Sequence, residues 1–256
     1  MSAGDRTIVV VRDAELLAEA VAARLLTRLI DCQAVRGSAS VVLTGGGVGI
    51  AALTAVGRSP ARAAVDWRRV DIWWGDERFV PDGDPERNDV QARRALLDVL
   101  DLDPARVHPM GWLGGTDGND VDAVAARYAD ELRSAAPQGY AVPPFDVLLL
   151  GMGPEGHTAS IFPESPAAHD ERLVAGVHGC PKPPPTRITL GFASLCSARE
   201  VWMVVAGPDK APMVAMALAG AGRVQVPAAG VAGTAQTLWL LDEAAASAIP
   251  RDLRRR

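Results

Sequence analysis

The chain has 256 residues, of which 48% are hydrophobic and 22% charged, and it carries a net charge of -5. That length can bury a substantial core, and the composition is that of an ordinary soluble globular protein. The acidic balance leaves no electrostatic footprint for nucleic acid, and no apolar run approaches a membrane span. The N-terminus carries Asp5 and Asp13 around a short apolar run instead of a signal sequence, so a cytoplasmic protein is expected.

Strand-like runs fall at residues 8–11, 40–44, 70–74, 146–150, 173–177, 200–206 and 237–241. Between them, helical periodicity is clearest at residues 14–28, 90–100, 121–134 and 211–219. This alternation predicts an α/β fold with a doubly wound, mostly parallel sheet. The longest irregular pieces, 81–88, 111–120 and 179–186, are too short and too varied for domain linkers, so a single domain over 1–256 is expected. The arginines at 251, 254, 255 and 256 read as a solvated helix end rather than a binding arm.

Cys32, Cys180 and Cys196 are odd in number and widely spaced, which suits a reducing compartment without disulfides. His169, His178 and Cys180 match no zinc spacing, and such a scatter reads as loop composition. Lysine is nearly absent: only Lys182 and Lys210 stand beside 24 arginines.

Residues 145–163, FDVLLLGMGPEGHTASIFP, carry the strongest local signal. The apolar run 146–150 reads as a strand covered on both faces, and Gly151, Gly153 and Gly156 free the backbone to turn sharply. A lone histidine usually packs or caps, but His157 follows the carboxyl end of a strand, where open α/β sheets bind ligands. GMGPEG satisfies the letter of the dinucleotide fingerprint. Pro154 interrupts that turn, and Asp170 and Glu171 precede the next strand instead of ending it. The near-match at residues 47–52 also lacks its acid. A nicotinamide enzyme is therefore disfavoured.

Three more segments follow strands. Thr44, Gly45, Gly46 and Gly47 lead into a helix and leave amides free for an anion, although a plain tight turn has the same sequence. WWGDERFVP at 73–81 sets Asp76, Glu77 and Arg78 immediately after a strand, where charges more often serve a site than they do elsewhere. Gly207-Pro208-Asp209-Lys210 aims an ammonium at the same edge.

Taken in order, the glycine turn, WGDERFVP with Asn88 beyond it, GMGPEGHTASIFP, TRITLG at 186–191 and AGPDK at 206–210 resemble the 6-phosphogluconolactonase family. Its superfamily also holds glucosamine-6-phosphate deaminases. The resemblance implies a doubly wound, Rossmann-like sheet and hydrolysis of 6-phosphoglucono-δ-lactone to 6-phosphogluconate in the oxidative pentose phosphate pathway, without metal or cofactor. It implies His157 as the base and Asp76 and Arg78 lining the sugar, with Arg78 facing the oxyanion or phosphate. Arg187, Lys210 and the glycine turn would hold the phosphate. A small sugar-phosphate lactone is then the expected partner, with no nucleic acid or membrane, and the protein a monomer or weak homo-oligomer.

The chemistry agrees with the residues, because a lactone is an activated ester that water can attack once a base of near-neutral pKa removes its proton. No G-x-S-x-G elbow, P-loop or H-E-x-x-H occurs. Two positions depart from the family. Thr44 to Gly49 reads TGGGVG where S-G-G-S-T-P is usual, which removes two hydroxyls, and Glu155 stands where aspartate is usual. In the deaminase branch, D-E-Y and histidine followed by isoleucine are typical; Arg78 and Thr158 favour the lactonase. A sugar-phosphate sensor would be expected to carry a DNA-binding helical domain, for which residues 1–7 leave no room.

Overall fold

The computed structural model describes residues 5–250, and the arginine tail beyond them lies outside the described residues. Nine strands form two sheets: β1 (Asp5–Val11), β2 (Ala39–Leu43), β3 (Val70–Trp74), β4 (Asp76–Arg78), β5 (Val147–Leu150), β6 (Val174–Val177), β7 (Arg187–Leu190), β8 (Glu200–Val205) and β9 (Gln236–Asp242). Six of them make a parallel sheet in the order β1-β9-β8-β5-β2-β3. The expected doubly wound α/β fold is therefore present. All four residues of β5 are buried, as a strand covered on both faces requires.

The other three strands form a small antiparallel sheet, β4-β7-β6. The apolar run at 173–177 thus belongs to this second sheet, not to the parallel one. Two of its strands were not among the seven expected. β4 is Asp-Glu-Arg, with no hydrophobic alternation to read, and it is a strand because Asp76 and Arg78 pair with Thr189 and Arg187 of β7.

The helices are α1 (Ala14–Arg36), α2 (Gly47–Arg58), α3 (Asn88–Ala95), α4 (Val121–Ala135), α5 (Phe192–Leu195) and α6 (Ala211–Leu218). Asp13 caps α1 by accepting from the Leu16 amide at 2.9 Å, and the buried row Leu17, Val21, Leu25, Leu29 and Cys32 faces the core. That periodicity continues beyond Arg28, so α1 ends only at the left-handed Gly37. α3 begins two residues earlier than its apolar pattern and yields to a 3-10 turn at Leu97–Val99. Its start is fixed from outside the helix: the Glu77 carboxylate accepts from the amides of Asn88 and Asp89 at 2.6 and 3.0 Å.

After β3 the chain crosses β2 to lay down β5, then moves outward through β8 and β9. The reversal lies between β2 and β5, and a ligand crevice opens at such a switch point beyond the carboxyl ends of the strands. No helix of the described residues is long and apolar enough to cross a membrane.

Candidate active site

A cavity of about 760 Å³ opens at that switch point. Segments after four neighbouring strands line it: Thr44 to Gly47 after β2, Asp76 and Arg78 of β4 after β3, Gly151 to Pro154 with His157 after β5, and Ala206 with Lys210 after β8. Arg187 of β7 and Lys182 from the preceding loop complete the wall. The residues that the resemblance assigned to the site, His157, Asp76, Arg78, Arg187, Lys210 and the turn from Thr44 to Gly47, all line this one space.

The glycine-rich turn after β5 gives His157 its place. Gly153 donates to the His157 carbonyl at 3.0 Å, Gly156 donates to Gly153 at 2.9 Å, and Gly156 adopts a left-handed φ of 92°. A Cβ on Gly153 would lie 2.1 Å from His157 Nδ1, so only glycine leaves room for the ring. Gly151 has no such crowding. No helix follows directly; instead Thr158 and Ile161 bridge and Ala159 takes a positive φ of 48°.

His157 Nδ1 lies 3.0 Å from Glu155 Oε1, and the ring stacks on Phe162 with centroids 4.4 Å apart. Burial pushes the Glu155 carboxyl up, but its own amide, Lys182 and His157 together bring it below the ordinary range. An ionised Glu155 only accepts, so Nδ1 carries the proton and Nε2 keeps a lone pair. Burial holds the His157 pKa below its ordinary value; the Lys182 charge adds to this, while Glu155 and Asp76 oppose it. A neutral imidazole at neutral pH is the result.

Asp76 is 6% exposed, and Ser160 Oγ donates to its Oδ2 at 2.7 Å. The Asn88 amide donates to the Asp76 carbonyl at 2.9 Å and reaches its Oδ1 at 3.3 Å. A Cβ on Gly45 would fall 1.9 Å from Asn88 Oδ1, which explains glycine there. Glu77 sits behind this layer, wholly buried, bound by the amides of Arg78, Asn88 and Asp89 and 3.6 Å from Arg87 Nη2. Burial pushes its carboxyl pKa up, against the pull of Arg87 and those amides of α3.

The cations are disposed unequally. Arg78 lines the cavity while its Nη1 donates to the Glu86 carbonyl. Lys210 lies 2.5 Å from Asp209 Oδ2. Arg187 is only 5% exposed and turns on its own loop, donating to the carbonyls of Lys182, Pro183 and Pro184 at 3.2, 3.0 and 3.1 Å. Gly46 caps α2 with a φ of 84°, and Gly47 begins it, so the first amides of this 12-residue helix face the crevice end of β2. Sequence reasoning passed over Lys182, Ser160 and the role of Glu155. The lysine's rarity was the available signal for Lys182; Ser160 lay in a quoted motif without a partner to mark it.

A doubly wound, mostly parallel sheet with a half-buried histidine, an aspartate and several cations around the crevice at its switch point is the architecture to which these motifs pointed. The sequence profile described as glucosamine-6-phosphate isomerases/6-phosphogluconolactonase matches residues 12–239, and the chain belongs to that family. It is 61% identical over 249 residues to the 6-phosphogluconolactonase of Streptomyces coelicolor, covering 96% of this chain and 95% of that one. It is 48% identical over 239 residues to the 6-phosphogluconolactonase of Mycobacterium tuberculosis, covering 93% and 96%. The solved 6-phosphogluconolactonase of Trypanosoma brucei superposes with a TM-score of 0.80 at 27% identity, over 96% of this chain and all of that one.

Proposed function

We propose that this protein hydrolyses 6-phosphoglucono-δ-lactone to 6-phosphogluconate, with His157 as the general base. The observation that carries the mechanism is the Glu155–His157 pair at 3.0 Å, which leaves Nε2 as a lone-pair acceptor in a cavity lined by cations. The 61% identity to a lactonase over nearly the whole chain supports the substrate class.

In this reading a water gives its proton to His157 Nε2 as its oxygen bonds to the lactone carbonyl carbon. The carbonyl oxygen gathers negative charge, which Arg78 stabilises. The tetrahedral intermediate then breaks its bond to the ring oxygen, and the imidazolium returns the proton to that oxygen. The product is the open-chain carboxylic acid, and no covalent enzyme intermediate forms. Asp76, held by Ser160 and Asn88, orients the sugar hydroxyls. The amides at the start of α2 and Lys210 hold the phosphate, with Arg187 shaping the wall behind them. The three carbonyl bonds of Arg187 support this supporting role over a direct grip on the phosphate.

The test supplies freshly generated 6-phosphogluconolactone and follows its loss above the spontaneous rate, beside an assay for ammonia release from glucosamine 6-phosphate. Lactone consumption without ammonia release is expected. Ammonia release alone would replace this reading with a deaminase.

A further inference from the structure

The chain has only two lysines, and both line the cavity. Lys210 belongs to the strand-end turn already described. Lys182 does something different. Its Nζ lies 3.0 Å from Glu155 Oε2, on the far side of the carboxylate whose Oε1 lies 3.0 Å from His157 Nδ1. One glutamate therefore bridges the ammonium and the imidazole. An aspartate, one methylene shorter, would have less reach for that bridge.

The loop that presents Lys182 is fixed from beneath. Arg187 binds the carbonyls of Lys182, Pro183 and Pro184, and its guanidinium lies 5.8 Å over the Phe162 ring, the ring on which His157 stacks. Lysine, glutamate, histidine, phenylalanine and arginine thus form a closed circuit of contacts around the imidazole. The arrangement answers a specific difficulty. A carboxylate alone beside Nδ1 orients the ring but also favours the imidazolium, which has no lone pair with which to accept a proton. An ammonium beyond the carboxylate offsets its charge without touching the ring.

We propose that Lys182 is a positioning residue for His157, balancing Glu155 so that the carboxylate fixes the ring and its tautomer while Nε2 stays an open acceptor. The proposal rests on the reading of His157 as the base. The charged groups that act on the ring are Glu155 from its own turn, Lys182 from the loop before β7, and Asp76 from β4. Asp209, beside Lys210, also feels the Lys182 charge.

The experiment compares the parent with Lys182→Met and Lys182→Arg. Lactone hydrolysis is measured between pH 6 and 8, and the His157 imidazole is titrated by NMR, its signal assigned with His157→Asn. Removing the ammonium leaves Glu155 unopposed, so His157 in Lys182→Met should hold its proton to higher pH. The ratio of kcat at pH 6 to kcat at pH 8 should then fall by about three- to tenfold, and Lys182→Arg should restore both the ratio and the titration. A titration in Lys182→Met that superimposes on the parent's overturns the proposal. So does a uniform loss of kcat/KM at every pH with an unmoved imidazole, which would assign Lys182 to substrate binding. A parent that hydrolyses no lactone would sink the proposed activity, while the imidazole titration still decides whether Lys182 governs the ring.

Discussion

Ser160 Oγ donates to Asp76 Oδ2 at 2.7 Å across 84 residues of sequence, and both residues are buried. This bond ties the turn that carries His157 to β4, which carries Arg78, so the two halves of the site share one anchor. Removing the hydroxyl would leave a buried carboxylate short of a donor. Ser160→Ala should therefore lose about 1.5–3 kcal/mol of stability, the range for hydrogen bonds to charged groups. Urea unfolding measures it, and a midpoint equal to the parent's would show that Asp76 finds another donor.

His157→Asn should retain the fold and the affinity for 6-phosphogluconate while kcat falls by about 10² to 10⁴, the usual cost of losing a general base. Turnover within a few-fold of the parent would remove His157 from the chemistry.

Substrate charge gives a separate check. If the α2 amides and Lys210 hold a phosphate dianion, unphosphorylated gluconolactone should lose roughly 3 kcal/mol of transition-state binding, or more than about 100-fold in kcat/KM. Equal values for the two lactones would place the phosphate elsewhere.

Gly153→Ala tests the space left for the ring. The new Cβ would fall 2.1 Å from His157 Nδ1, so the imidazole must move from Glu155. The expected outcome is a drop in kcat of about 10² for a displacement near 1 Å, with little change in KM. A crystal structure of the variant with His157 unmoved would contradict it.

His108 offers a stability prediction away from the cavity. It stacks on Trp73 at 3.7 Å, with Nδ1 2.7 Å from Glu131 and Nε2 3.7 Å from Asp71. Burial opposes its charge, yet the two carboxylates raise its pKa above the ordinary value. Because the folded state binds the proton more tightly than the unfolded chain, this contribution is fully present below the ordinary value near 6.5 and fades as pH rises through the raised one. His108→Gln should thus lose more stability relative to the parent at pH 6 than at pH 9. Thermal melts at both values decide it, and an equal or larger deficit at pH 9 would contradict the linkage.

The sequence by itself determined the parallel sheet and pointed to the edge of it where the candidate site is proposed. Continuous apolar strands such as 147–150 must be covered on both faces, and glycine-rich turns at their carboxyl ends leave room for polar groups to converge. The gathering of His157, Asp76, Arg78, Lys210 and the glycine turn at that edge was legible on those terms. The small antiparallel sheet was not, because Asp76–Arg78 shows no hydrophobic period and becomes a strand only by pairing with β7. The start of α3 was likewise hidden, since its cap comes from Glu77, 11 residues away from Asn88. Only the tertiary structure decided which partner each charge takes. It turned Arg187 onto its own loop, set Lys182 beyond Glu155, and brought Ser160 to Asp76. A residue type advertises its charge and its donors locally, but a hydrogen bond is made over about 3 Å between groups that only the folded chain brings together.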